Sequence, residues 1–144
     1  MKEHREKGFS SKHPPERKLN PEAAGEVKRR AKEGEIACAA AFAAAREIGV
    51  SPEEIGFTAD RLELPIIRCQ LGLHGWGPQR KRVQPAENVP EPLETAIRSR
   101  LENGRLPCRS AWDIAKDLEL GKMEVASACE ALQIKISNCQ LGAF

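Results

Sequence analysis

Apolar positions recur at helical spacing along the second half of the chain. Between Ile114 and Leu132, a first stripe holds Ile114, Ala115 and Leu118. Leu120 follows in a turn, and Val125, Cys129 and Leu132 make a second stripe at i, i+4 and i+7. Two short amphipathic helices joined tightly are predicted, the small Ala115 letting one cross close over the other. The pattern also occurs 70 residues upstream, where Ala45 to Gly56 lies over Ala115 to Ala126 without a gap. Between 34–73 and 104–143, 11 of 40 positions are identical. They include Cys38/Cys108, Ala45/Ala115, Glu54/Glu124 and the run Cys69-Gln70-Leu71-Gly72, repeated as Cys139-Gln140-Leu141-Gly142. An ungapped match of this length argues for a duplicated domain.

Local signals place the elements. Asn20-Pro21-Glu22 is a helix start, with an Asn cap and Pro at the first helical position. That helix is predicted to run to about Glu33 and stop at Gly34. Glu35 to Cys38 can include a very short strand, and a second helix covers roughly Ala37 to Ile48. Gly49 suits a left-handed turn, where the second copy has Glu119. Ser51-Pro52-Glu53-Glu54 reads as a capping box opening a third helix that ends near Glu63. Leu64 to Leu71 then reads as a strand, matched by Ile134 to Leu141. Leu93 to Leu101 restarts the series, with Asn103-Gly104 ending that helix. The predicted core is Val27, Phe42, Ala45, Ile48, Ile55, Leu62 and Ile66 in the first copy, and Ile97, Leu101, Trp112, Ala115, Leu118, Val125, Leu132 and Ile136 in the second.

The expected organisation is a disordered basic tail over 1–19, a first repeat over 20–74, a Pro- and Gly-rich linker over 75–91 and a second repeat over 92–144. Each strand would leave an unpaired edge. Pairing of the two with each other, or with a short strand at Glu35–Cys38 or Arg105–Cys108, would satisfy it.

The stretch Ile114 to Leu132 and its upstream copy resemble the helix-turn-helix superfamily of DNA-binding domains. Three helices followed by a strand is the winged-helix order. The resemblance implies a mainly α fold of two tandem three-helix helix-turn-helix repeats, reduced winged helices with one short β-strand each. It also implies double-stranded DNA as a partner and a role in transcription regulation.

Charge qualifies that implication. The net charge is +2, which gives no general push toward nucleic acid. Residues 51–63 carry a net −3 and residues 121–133 a net −1, with no Arg, Gln or Asn cluster at either helix start. Basic side chains for phosphate contact would come from Lys28, Arg29, Arg30, Arg80, Lys81, Arg82 and Lys122. The bland reading of Lys28 to Arg30 is complementarity to a helix C-terminus. The alternative to DNA is a protein-interaction or dimerisation module on the same fold, with another protein or a second copy as partner.

Five cysteines, none in a CxxC pair, point to a cytoplasmic protein with reduced thiols. Cys38, Cys69, Cys108 and Cys139 recur across the copies, with His74 close after Cys69. They can be small core residues duplicated with the fold, ligands of zinc or an iron–sulfur cluster, or redox sensors. No cofactor is expected. Catalysis lacks support, because His4 and His13 lie in the tail and no oriented nucleophile–base pair or phosphate loop is evident. The longest apolar run, Ile36 to Ala45, is too short to span a bilayer, so no membrane partner is expected.

Overall fold

The computed structural model describes residues 12–76 and 81–143. They form a mainly helical chain of six helices and four two-residue strands. In order these are α1 (Pro21–Arg30), β1 (Ile36–Ala37), α2 (Cys38–Ile48), α3 (Pro52–Arg61), β2 (Ile66–Ile67), α4 (Glu91–Arg98), β3 (Leu106–Pro107), α5 (Cys108–Asp117), α6 (Lys122–Leu132) and β4 (Ile136–Ser137). The chain divides into two compact units. Unit 1 takes described residues 12–69 together with 140–143, and unit 2 takes 70–76 and 81–139. The peptide from Gln70 onward therefore belongs to unit 2, and residues Gln140 to Ala143 belong to unit 1.

Each unit has the order helix, strand, helix, helix, strand, at an offset of 70 residues. In unit 1, α1 packs on α2 and α3, and α2 on α3. Asn20 opens α1, its Oδ1 accepting from the backbone N–H of Glu22 at 2.9 Å. Ser51 opens α3 by accepting from the Glu54 N–H at 3.1 Å. In unit 2 the cap at the matching place is reversed. Gly121 has no side chain to accept, and the Glu124 carboxylate instead accepts from the Gly121 N–H at 2.6 Å.

The strands differ from the sequence expectation in number and length. Each unit holds two strands, paired in parallel, where one was expected. Ile36 and Ala37 pair with Ile66 and Ile67, and Leu106 and Pro107 with Ile136 and Ser137. The short upstream strand satisfies the exposed edge, as anticipated. The long strand expected after each third helix shrinks to two residues because Arg68 and Asn138 take left-handed φ values of 53° and 52°. Glu33-Gly34 and Asn103-Gly104 do not cap helices. Both residues of each pair have positive φ, and each pair closes a tight turn with Lys32 and Glu35, or Glu102 and Arg105, bridged across it.

Seven of the predicted core residues are buried: Val27, Phe42, Ala45, Ile55, Ile97, Ala115 and Val125. Leu118 is not, with 37% of its surface exposed. It sits at the C-cap of α5, a turn past Ile114 and Ala115, which carry the packing. The largest fully buried side chain is Phe57, absent from the predicted core.

Residues 12–19, assigned above to a disordered tail, run against α3. Lys12 and His13 both reach the buried carboxylate of Asp60, at 3.2 and 2.8 Å. Lys12 Nζ also donates to the Gly142 carbonyl at 3.1 Å. The matching segment of unit 2 is the end of the linker. There the N–H groups of Arg82 and Val83 donate to the Gly72 carbonyl at 2.7 and 3.0 Å, and Ala86 N–H donates to Ser127 O at 3.0 Å on α6. Lys81 pairs with Glu130, the counterpart of Asp60, at 2.8 Å. Each unit thus has a strap across its third helix, preceding its first helix in the chain. Residues 1–11, including His4, and linker residues 77–80 lie outside the described residues.

Candidate functional site

The third helices, α3 and α6, are where groove-reading side chains were sought. Along α3, Ile55 to Asp60 are six consecutive buried residues. One helix face cannot account for such a run. The core covers one side, while the strap and the peptide around Leu141 cover the other. Gly56 permits the latter approach. A Cβ there would lie 1.7 Å from the Leu141 carbonyl oxygen. Phe57 is flanked by two guanidiniums and an imidazole. The Arg17 guanidinium lies 3.7 Å from the ring centroid, Arg61 lies 5.2 Å away, and the His13 ring meets it edge-on at 4.8 Å. Arg17 also pairs with Glu54 at 3.0 Å, and Arg61 donates to the carbonyls of Pro14 and Arg17.

On α6 the strap leaves an opening. Ser127 stands where α3 has Phe57, and beside it a cavity of about 410 Å³ opens to the surface. Ala86 from the strap, Leu93 from α4, Leu120 from the turn, and Met123, Glu124 and Ser127 from α6 line it. Glu124 is its one acidic lining residue among the described residues.

Most of the cations proposed for phosphate contact are engaged within their own unit. Arg29 and Arg30 both hold Glu26, at 2.5 and 2.6 Å, and those two guanidiniums keep the Glu26 carboxyl below its ordinary range. Lys81 holds Glu130. Arg82 lies over the Trp76 ring at 4.8 Å. Lys122 lies over the Trp112 ring at 4.3 Å and donates to Gln70 Oε1 at 3.3 Å. Lys28 is exposed on α1. Arg80 lies outside the described residues. The described candidates fall in two sets, Lys28 to Arg30 on unit 1 and Lys81, Arg82 and Lys122 on unit 2.

Cys38, Cys69, Cys108 and Cys129 are buried, and Cys139 is half-buried. Cys38 and Cys69 belong to unit 1, while Cys108, Cys139 and His74 belong to unit 2. Among the described residues, no group of three or more His, Cys, Asp or Glu side chains is arranged to hold a metal ion. Burial, with Glu130 adding to it, pushes the Cys129 thiol up to about 11. Burial also lowers the His74 pKa and favours its neutral form. Among the described residues, no helix is long and apolar enough to cross a membrane.

Sequence reasoning missed three features of this region: Phe57, the strap and the cavity. Only the Phe57/Ser127 mismatch in the aligned copies carried a signal, a large apolar residue replaced by a small polar one on the same helix face. Comparison with known proteins found no matching family model, curated protein or solved structure.

Proposed function

We propose that the chain is a non-catalytic, cytoplasmic protein-interaction module built from two helix-turn-helix units of the reduced winged-helix type, acting as a regulatory adaptor. The observation that carries this reading is the covering of the third helices. A groove-reading helix needs a free polar face, and α3 is buried along six consecutive residues while its strap holds Asp60 and Glu54. The α6 backbone is likewise bonded to its own strap at Ser127. Removing either strap to admit DNA would uncover buried apolar surface.

The test is fluorescence anisotropy with mixed-sequence duplex DNA at low and moderate salt. We expect no saturable binding at either. Binding that falls steeply with salt would overturn the reading, because phosphate neutralisation releases counterions.

The exposed position of Lys28 beside Arg29 favours a second reading, contact with DNA phosphates from the end of α1. It predicts that Lys28→Ala weakens binding to all duplexes about equally.

A further inference from the structure

We propose that the cavity beside Ser127 is a docking site for a partner protein's aromatic side chain carried next to an arginine or lysine. This rests on the interaction-module reading above and names the partner's chemistry. Unit 1 supplies the template, because its equivalent space is filled. There the Phe57 ring occupies the place, the Arg17 guanidinium stacks on its face at 3.7 Å, and Glu54 fixes that guanidinium at 3.0 Å. Unit 2 keeps the acid and loses the other two parts. Glu124 matches Glu54, Ser127 matches Phe57, and Glu87 stands where Arg17 does. The missing parts are thus an aromatic ring and a cation.

The cavity suits them. Its volume of about 410 Å³ falls in the range of ligand-sized clefts. Its walls are the aliphatic side chains of Ala86, Leu93 and Leu120, with Met123 as a pliant thioether that adapts to a ring. Glu124 uses Oε1 to cap α6, which leaves Oε2 for an incoming cation. Exposed Glu87 on the strap adds negative charge on the same unit. Aromatic and arginine anchors in pockets are the usual source of interface energy.

The experiment uses the full chain labelled at methionine methyl groups. Only Met1 and Met123 are present, so the Met123 resonance is readily assigned. The probe is the capped dipeptide acetyl-Phe-Arg-amide, with acetyl-Ala-Arg-amide and acetyl-Phe-Glu-amide as controls. We expect a saturable shift of the Met123 methyl with the Phe-Arg probe, and binding at least about tenfold weaker for each control, a difference of about 1.4 kcal/mol. Ser127→Phe, which fills the cavity as Phe57 does in unit 1, should abolish the shift. If that variant loses its helical circular dichroism, Ser127→Leu replaces it and must weaken binding at least about fivefold. No saturable shift, equal binding of Phe-Glu, or unchanged binding by the filled variant would each overturn the proposal. Loss of the peptide effect without duplex binding removes this occupant alone, whereas duplex binding removes the interaction reading itself.

Discussion

On the third helix of unit 1 stand Gly56 and Phe57; on that of unit 2 the same two places hold Ala126 and Ser127. The exchange moves volume from one position to the next. Gly56 lets the Leu141 backbone approach α3, and Phe57 fills the space under the strap. With Ser127 in that place, unit 2 has an open cavity there. Two copies of one architecture thus reach different surfaces through neighbouring substitutions on one helix. One unit is closed beside its third helix and the other is open there.

The largest test of this comparison is Phe57→Ala. It removes the largest fully buried side chain and leaves Arg17 and His13 without their ring. We expect a loss of about 3–5 kcal/mol in urea unfolding. Ser127→Phe should change stability by less than about 1.5 kcal/mol, since it enters an existing cavity. Similar costs for the two would erase the distinction between a filled and an open unit.

Gly56→Ala comes next. The obstructing atom is a backbone carbonyl and not the end of a flexible side chain. We expect a loss near the top of the roughly 1–3 kcal/mol range for overpacking. The reverse change, Ala126→Gly, should cost only about 1 kcal/mol of helix propensity. A thermal scan of both variants measures the asymmetry.

A third pair concerns the turn between second and third helices. Gly49 sits there at φ 71°, and Glu119 holds the same left-handed conformation at φ 57°. A non-glycine residue is strained in that region. Glu119→Gly should stabilise unit 2 by up to about 1 kcal/mol, and Gly49→Ala should destabilise unit 1 by a similar amount. Equal effects of the same sign would mean that the two turns do not share their strain.

How much of this was legible depends on the kind of interaction. Asn20 and Ser51 announced their helices because capping is local and chemically specific. The duplication announced the second unit because eleven identities fell at one offset. The straps left almost no trace. Residues 12–19 and 82–89 share only Pro15/Pro85, and their order comes largely from backbone groups, which any sequence carries, and from lysine pairs with Asp60 and Glu130. The strands were overread because alternation of apolar residues says nothing of the left-handed residues that interrupt them, Arg68 and Asn138. Among the basic candidates, side-chain type was readable, but the partners occupying Arg29, Arg30, Lys81 and Lys122 were not. Those partners come from helical neighbours or from residues about 50 positions away.

The smallest effect expected is a difference in acid sensitivity. His74 lies in unit 2, and its counterpart position 144 lies outside the described residues. Burial lowers its pKa below 6.5, the ordinary value. The unfolded chain therefore takes up a proton at this residue before the folded unit does. Stability then rises with pH across the window between the lowered folded value and 6.5, and is lost as pH falls through that window. His74 is only half-buried, so the effect is modest. Replacing it with Gln removes the titration while keeping a polar side chain. Urea midpoints measured at pH 7.5 and pH 5.5 should converge in His74→Gln relative to the parent chain. Glu26 acts in the opposite unit and in a lower range, because its lowered pKa makes it lose stabilising charge only as pH falls below about 4.5. An unchanged gap between the two midpoints in His74→Gln would show that acid sensitivity near pH 6 does not come from unit 2's half-buried imidazole.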